Sequence, residues 1–202
     1  MATTDIDAEF GFIAGDPALD LVNTVHWRLS PTQRYDALAT PERLVRWSER
    51  AGLLEADEAM LIAERAEQNP EEIGEALRAT LQLREDLHAT VIDADADAAQ
   101  RLAAMYTSAQ GRAELRHVEG HWEWTDTVVT GTTILDRLAR RAASLLTTPR
   151  AEIGQCADEA CGWLFLDTSR RHNRRWCSSS GCGDRNRARD YYRRRQGERD
   201  LS

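Results

Sequence analysis

The sequence contains no lysine, so arginine supplies all 26 of its basic residues. It also lacks an apolar run of the roughly 18 residues that would span a membrane. Its opening residues, MATTDIDAEFGFIAG, have neither the basic nor the apolar region of a secretory signal. We therefore expect a cytoplasmic protein with no membrane partner. The missing lysine is typical of a compositional bias and indicates no function.

Sequence motifs of the common enzyme classes are absent too. The chain has no nucleophile elbow, no glycine-rich phosphate loop and no HExxH helix. With 42% hydrophobic and 30% charged residues, its composition is that of an ordinary globular chain. We predict a folded protein that is not an enzyme.

Acidic and basic residues are unevenly distributed along the chain. Residues 1–149 carry 14 Arg against 26 acidic residues, a net charge of −12, whereas residues 150–202 carry 12 Arg against 8, a net charge of +4. Such asymmetry suggests different partners for the two parts, so we predict a regulatory domain at 1–149 and a second domain at 150–202. Thr148-Pro149 marks the boundary, because a helix usually ends before a proline.

Hydrophobic periodicity predicts that the first part is mainly helical. Thr40 is a suitable N-cap and Pro41 a suitable first residue for a helix that ends near Gly52. Further helices are predicted at about 57–68, from 71 to the low 90s, at 93–110 and at 132–147.

Between the last two of these helices, the hydrophobic period changes to two. The stretch AELRHVEGHWEWTDT alternates about Glu119-Gly120, which predicts a β-hairpin. Trp122 and Trp124 share one strand face, so we expect both to pack onto helices. Nearer the N-terminus, ALDLVNTV is compatible with a short strand and with the start of a buried helix.

A polar cluster overlaps that N-terminal stretch. Its members Asn23, Thr24, His26 and Arg28, together with Trp27 between the last two, are candidate contacts for a small-molecule effector. The alternative is that they cap a buried turn and pack inside the domain. We prefer this second interpretation, because an isolated polar cluster is usually structural.

All four cysteines lie in the last quarter of the chain. Four residues separate Cys156 from Cys161 and Cys177 from Cys182, and fifteen residues lie between the pairs. Two short-spaced pairs are typical of a tetrahedral zinc site, and four thiolates leave no position for a catalytic water. Two disulfides or four free thiols are the alternatives, but disulfides suit secreted proteins and four thiols confined to so short a stretch would be unusual. We predict one structural Zn²⁺ bound by these four residues.

The residues between and after the cysteines indicate the shape of the zinc module. WLFL has the pattern of a strand, DTSRRHN that of a turn, and Cys182-Gly183 that of the start of a helix reaching about 196. We therefore expect a hairpin between the two cysteine pairs, as in a zinc ribbon or treble clef. Trp163, Phe165 and Trp176 are its expected core.

The zinc module is strongly basic, since residues 168–196 hold ten arginines and two acidic residues. A zinc ion with four thiolates is negative overall, so Arg174 or Arg175 is expected to neutralise it. The other arginines, with tyrosines among them, suit contacts to phosphates and bases, although a solvated basic helix is the alternative. The candidate nucleic-acid contacts are Arg174, Arg175, Arg185, Arg187, Arg189, Tyr192 and Arg193.

The pattern CGWLFLDTSRRHNRRWC followed by CGDR resembles the CGNR zinc-finger family of bacterial proteins. ALDLVNTV is similar to the opening motif of the ABATE domain, the usual N-terminal partner of this finger and a proposed stress-induced transcription regulator. The resemblance implies the same four zinc ligands and makes residues 1–149 an ABATE-like domain. Asp184 departs from the finger motif, because the family has Asn there. We interpret this position as a helix cap.

These patterns predict a mainly α protein with a small β-hairpin (α+β) and a C-terminal zinc finger that ends in a basic helix. The predicted function is zinc-dependent DNA binding by a bacterial transcription regulator, with duplex DNA favoured over RNA. The alternative is a protein-interaction adaptor whose basic helix docks an acidic surface of a partner or of its own N-terminal domain. A homodimer and an effector are further expectations.

Overall fold

The structure, a computed structural model, describes residues 10–149 and 152–199, with side chains described up to Gln196. Seven α-helices and three antiparallel strand pairs are present in these ranges. The helices are α1 (Pro17–Val22), α2 (Pro41–Arg50), α3 (Ala56–Gln68), α4 (Pro70–Asp93), α5 (Ala96–Gly111), α6 (Gly131–Thr147) and α7 (Asp184–Arg199). The strands are β1 (Val25–His26), β2 (Tyr35–Asp36), β3 (Ala113–Val118), β4 (His121–Asp126), β5 (Ile153–Gln155) and β6 (Leu164–Leu166). The predicted fold class is confirmed.

The helix boundaries follow their capping residues. Thr40, Asn69 and Asp95 cap α2, α4 and α5, because each side chain accepts a backbone N–H of the first turn. Pro41 and Pro70 occupy the first helical position, where the N–H that proline lacks has no partner in any case. These local signals explain why the predicted helices agree closely with the observed ones.

The stretch ALDLVNTV forms α1 followed by β1. Asp16 caps α1 by accepting the N–H of Ala18 at 2.8 Å, and Pro17 begins the helix. Nearly every residue of α1 is buried, because the helix packs against α4, α6 and β6. Both interpretations of this stretch were thus partly right.

The helical domain is organised around α4, which contacts each of the helices α1, α2, α3, α5 and α6. Trp47, Leu83, Leu87 and Leu138 are almost fully buried in one core. Leu164 of β6 belongs to the same core. The zinc module therefore inserts Leu164 into the core of the helical domain, whereas Phe165 and the four cysteines form a separate cluster, with Trp163 and Trp176 packed against it. No helix in the described ranges is long and apolar enough to cross a bilayer.

The β3–β4 hairpin forms at the predicted position, with Glu119 and Gly120 at positive φ in the connection. The expectation that its tryptophans pack onto helices is wrong. Trp122 is 66% exposed and Trp124 is 58% exposed. The reason is that the face of the hairpin that carries both tryptophans turns to solvent, since Leu115, which pairs with Trp124 on that face, is exposed as well.

The strand pairing of the zinc module also differs from the expectation. β6 forms an antiparallel pair with β5, a strand that precedes the first cysteine. The connection between these two strands therefore contains the first cysteine pair. Residues 167–176 form a loop without strands, which corrects the predicted hairpin between the two pairs. Ser179–Gly183 is a π-helical turn, and α7 begins after it, at Asp184. This order of knuckle, loop and helix is like that of a treble clef.

Candidate metal centre and basic helix

The four cysteines converge although they come from three separate segments. Cys156 and Cys161 lie in the knuckle between β5 and β6, Cys177 follows the loop, and Cys182 lies in the π-helical turn. Their Sγ atoms all lie within 4.8 Å of one another, and all four residues are buried. The Sγ atoms of Cys177 and Cys182 are 3.4 Å apart, and those of Cys161 and Cys177 are 3.7 Å apart.

This geometry fits a single zinc ion. Zn–S bonds of about 2.3 Å in a tetrahedron separate the sulfurs by about 3.8 Å, close to the observed spacings. Hydrogen bonds from the other three thiols, mainly that of Cys161, lower the pKa of Cys156. The same interactions, mainly with Cys156, raise the pKa of Cys161. Zn²⁺ replaces such shared protons, because it binds thiolates. The protein therefore has one structural zinc site, and all four cysteines are its ligands.

A buried carboxylate, Asp158, supports the centre. Its Oδ2 accepts hydrogen bonds from Nδ2 of Asn186 at 2.6 Å and from the guanidinium of Arg185 at 3.3 Å. Its Oδ1 accepts the N–H of Ala160 at 3.1 Å. Burial opposes the charge, but these donors outweigh it and lower the pKa of Asp158. Asp158 thus joins the first cysteine knuckle to the first turn of α7.

Arg185 contacts the sulfur of a zinc ligand, whereas Arg174 donates to the backbone carbonyl of one, Cys177. Its Nη2 donates to Sγ of Cys182 at 2.9 Å, and its guanidinium lies 4.4 Å from the ring centroid of Trp27. A guanidinium beside the thiolates offsets the negative charge that they keep after binding zinc. One side chain therefore connects the metal centre to residues 11–30, which we call the N-terminal segment.

Arg174 and Arg175 do not contact the thiolates, which corrects the expectation. Arg174 lies 4.2 Å from the ring centroid of Phe165 and donates to the carbonyl oxygens of Leu166 and Trp176, at 3.3 Å and 3.0 Å. Arg175 is exposed and lies over the ring of Trp176. The reason is that the loop after β6 has no strand partner, so Arg174 satisfies carbonyls that a strand would otherwise pair.

Sequence reasoning missed Asp158 and Asn186. Asp158 follows the first ligand by two residues, a position suited to the Asx turn that it forms with Ala160. Asn186 follows the last ligand by four residues, one helical turn, and donates to the carbonyl of Cys182 at 2.8 Å. These two spacings were the signals that could have placed both residues at the centre.

The finger is docked on the N-terminal segment by backbone hydrogen bonds. They join Leu166 N to Ala14 O at 2.7 Å, Arg28 N to Cys161 O at 3.0 Å, and Leu29 N to Ala160 O at 3.2 Å. Because two of these acceptors lie in the zinc knuckle itself, the segment that follows α1 is held directly against the metal centre.

Side chains complete this docking. Asn23 bonds to both backbone groups of Leu164, and Nε1 of Trp163 donates to the carbonyl of Val25 at 3.1 Å. Gly11 lies so close to Trp163 that a Cβ there would stand 2.6 Å from the indole ring. The finger is therefore packed tightly against the helical domain.

The candidate effector contacts have partners within the protein. Asn23 bonds to the backbone of Leu164. Oγ1 of Thr24 accepts a hydrogen bond from Arg84 at 3.1 Å. Arg28 forms an ion pair with a glutamate of α4 at 2.6 Å. His26 stacks on the ring of Tyr35, with centroids 4.4 Å apart. These contacts favour the structural interpretation, and a ligand role for the four residues stays a prediction.

The basic helix α7 projects from the finger into solvent. Residues 187–196 are exposed, apart from half-exposed Arg189. The side chains of Arg187 and Arg193 are 62% and 60% exposed, and Tyr192 is 65% exposed. Of the face predicted to bind nucleic acid, Arg185 turns to the zinc centre, whereas Arg189, Tyr192 and Arg193 remain at the surface.

The ion pairs of α7 stay within the finger, although Arg185 at its base lies over Trp27 of the acidic part. Up to Gln196, its pairs with other elements reach only Asp158 and Glu159, both in the finger. Asp184 is exposed, begins the helix and pairs with Arg187. Its backbone N–H is bonded to carbonyls of the preceding π-helical turn, and its carboxylate accepts from Arg187, so the capping interpretation of this departure from the finger motif stays a prediction.

Comparison with family models assigns both parts of the chain. Residues 15–149 match the ABATE family, described as "Putative stress-induced transcription regulator", and residues 152–195 match the CGNR zinc finger. No curated protein matches the chain. The finger match contains all four zinc ligands, and the first match spans α1 to α6. The resemblance seen in the sequence is thus confirmed, and the chain belongs to the ABATE family, with a CGNR zinc finger as its C-terminal part.

Proposed function

We propose that the protein is a cytoplasmic, DNA-binding transcription regulator and not an enzyme. In this proposal α7 contacts the DNA, and the zinc centre holds α7 in position. The observation that carries the proposal is an arginine-rich helix that projects into solvent from a metal-anchored base.

The composition of the projecting part suits a polyanion. Residues 187–196 contain five arginines together with Tyr191 and Tyr192. Arginine donates to phosphate oxygens and to the edge of guanine, and a helix fits the major groove, which is about 12 Å wide. The ion pairs of Arg187 and Arg193 are with exposed acids one turn away in the same helix. Such surface pairs contribute little, so phosphates can replace them.

The metal centre supports a structural role for zinc. Four cysteine ligands complete the coordination of the ion and leave no position for a water nucleophile. What the centre does is to hold the start of α7 against the knuckle, through Cys182, Arg185 and Asn186. A reducing cytoplasm keeps these thiols available to the metal.

A titration of duplex DNA with the full-length protein at several salt concentrations tests the proposal. If about five phosphates are neutralised, log K falls with log salt at a slope of about −4 to −5. Combining Arg187→Ala with Arg193→Ala should weaken binding and reduce the slope by about 2. Arg78→Ala is the matched control, because Arg78 is 69% exposed and has an (i, i+3) acidic partner, as Arg187 does.

Heparin binding without duplex binding at moderate salt would contradict DNA binding and favour the adaptor, in which the exposed helix docks an acidic protein surface. An equal loss of affinity in the Arg78 control would contradict α7 as the specific DNA contact. Tighter binding of RNA than of duplex DNA at the same salt concentration, weakened by the same two substitutions in α7, would retain the helix as the contact and identify RNA as the partner.

A further inference from the structure

A cavity of about 180 Å³ lies where the finger meets the N-terminal segment. Its walls are mainly aromatic and apolar. They are formed by Ile13, His26, Trp27 and Trp163, with Arg185 at one side. Three zinc ligands border the cavity but Cys156 does not, so the cavity lies on one side of the sulfur tetrahedron and outside it.

One wall residue has an unusual backbone conformation. Trp27 has a φ of 50°, in the left-handed region that bulky residues rarely occupy. The backbone N–H of the next residue, Arg28, donates to the zinc knuckle. The guanidinium of Arg185 lies over the ring of Trp27. Residues held in such strained conformations cluster at ligand sites, because the surrounding contacts keep them in place. Trp27 is therefore a preorganised aromatic wall.

We propose that this cavity binds a small planar aromatic molecule of one or two fused rings. An apolar cavity of about 150 Å³ binds benzene, so the volume here admits a ring system of that size or somewhat larger. His26 and Trp163 already meet edge to face with centroids 5.0 Å apart, and a further ring extends this arrangement. Arg185 donates to Cys182 and Asp158, so the site recognises shape and aromatic surface more than charge.

The position of the cavity gives such a ligand a structural effect. Ile13 and Trp27 belong to the N-terminal segment, whereas Trp163 and Arg185 belong to the finger. A molecule that contacts both sides binds the docked arrangement and stabilises it by mass action. The ligand would therefore act on the same contacts that hold the base of α7.

The test uses full-length, zinc-loaded protein without DNA, with indole and phenol as probes. Ligand-observed NMR should show saturable binding, and the unfolding midpoint should rise with probe concentration. Ile13→Phe places a ring in the cavity and should abolish the binding while zinc content is retained. Ile92→Phe is the matched control, since Ile92 is 38% exposed against 37% for Ile13 and does not line the cavity.

A second variant removes a wall instead of filling the space. Trp27→Gly deletes the ring and suits the positive φ, so the fold should be retained while probe binding is lost. The proposal is overturned if neither probe binds saturably, or if either cavity variant binds as tightly as the wild-type protein. Because no DNA is present, these outcomes are independent of the DNA-binding proposal.

Discussion

The side-chain amide of Asn23 forms hydrogen bonds with both backbone groups of Leu164, at 2.8 Å in each direction. Asn23 thereby supplies the pairing that a neighbouring strand would give this residue of β6. Leu164 is fully buried, so its N–H and C=O cannot turn to water instead. A single side chain thus joins α1 to the strand that follows the zinc knuckle.

Replacing Asn23 by Ala should lower the free energy of unfolding by about 2–4 kcal/mol, because two buried backbone groups lose their partner. Equilibrium urea unfolding measures this loss. Asn173→Ala, on the exposed loop of the finger, is the control and should change stability by less than about 0.5 kcal/mol. Similar losses in the two variants would show that the bridge is unimportant.

Removing zinc should destabilise the helical domain as well as the finger. Leu164 lies in the core that contains Trp47 and Leu138. Because the finger unfolds without its metal, Leu164 then leaves this core and the core loses its packing contacts. Chelation under reducing conditions should lower the unfolding midpoint monitored by helical circular dichroism. An unchanged midpoint, or less than about half an equivalent of zinc in the purified protein, is incompatible with this view.

Arg185→Lys should accelerate the loss of zinc to a chromophoric chelator. Lysine keeps the charge but cannot contact the sulfur of Cys182, the carboxylate of Asp158 and the face of Trp27 together. Metal affinity should fall by about 10- to 100-fold, the usual effect of removing a group that supports metal ligands. Arg175→Lys, at an exposed position of the same finger, should release zinc at the wild-type rate.

Stability should depend on pH through Asp20, which accepts the N–H groups of Ile13 and Ala14. Burial raises the pKa of Asp20 to about 6, although these two hydrogen bonds act in the opposite direction. The folded state therefore keeps a proton that the unfolded state releases. The resulting contribution to stability is complete below about pH 4 and is lost as the pH rises through about 6.

Asp20→Asn keeps an acceptor oxygen and removes this titration. Relative to the wild-type protein, the variant should gain roughly 2 kcal/mol of stability between about pH 4 and pH 7. Urea unfolding of both proteins across this range is the measurement. A stability difference that stays constant with pH would rule out Asp20 as the source.

Two tryptophans should respond very differently to removal. Trp47 is 1% exposed in the core, so Trp47→Ala should cost about 3–5 kcal/mol. Trp122 stands on the exposed hairpin, so Trp122→Ala should cost less than about 1 kcal/mol. Thermal or urea unfolding of the pair measures this contrast, and a large loss from Trp122→Ala would indicate that something covers the hairpin face in solution.

The features that sequence predicts well here are those set by neighbouring residues. Thr40 and Pro41 specify the start of α2, Glu119-Gly120 specifies the turn of the β3–β4 hairpin, and the spacing of the cysteines specifies a zinc site. Each signal acts within a few residues or, for the cysteines, through a geometry that the metal itself requires.

The features that sequence predicts poorly depend on which surfaces meet. Alternation along β4 shows that Trp122 and Trp124 share a face, but it does not show whether an element covers that face. In the sequence, Arg174 is closer to Cys177 than Arg185 is. The contact with a ligand sulfur is nevertheless made by Arg185, because it lies one helical turn after Cys182 and reaches the sulfur of that residue. The bond between Asn23 and Leu164 spans 141 positions and has no local signature.

The burial of Leu164 in the helical core has a consequence for protein engineering. A finger grafted onto a foreign scaffold would carry this leucine and the ring of Trp163 without their receptor surface, and the donor body would be left with a void and an unmatched amide at Asn23. A functional chimera should therefore exchange residues 11–30 together with the finger, because the contact surfaces of these two parts are complementary.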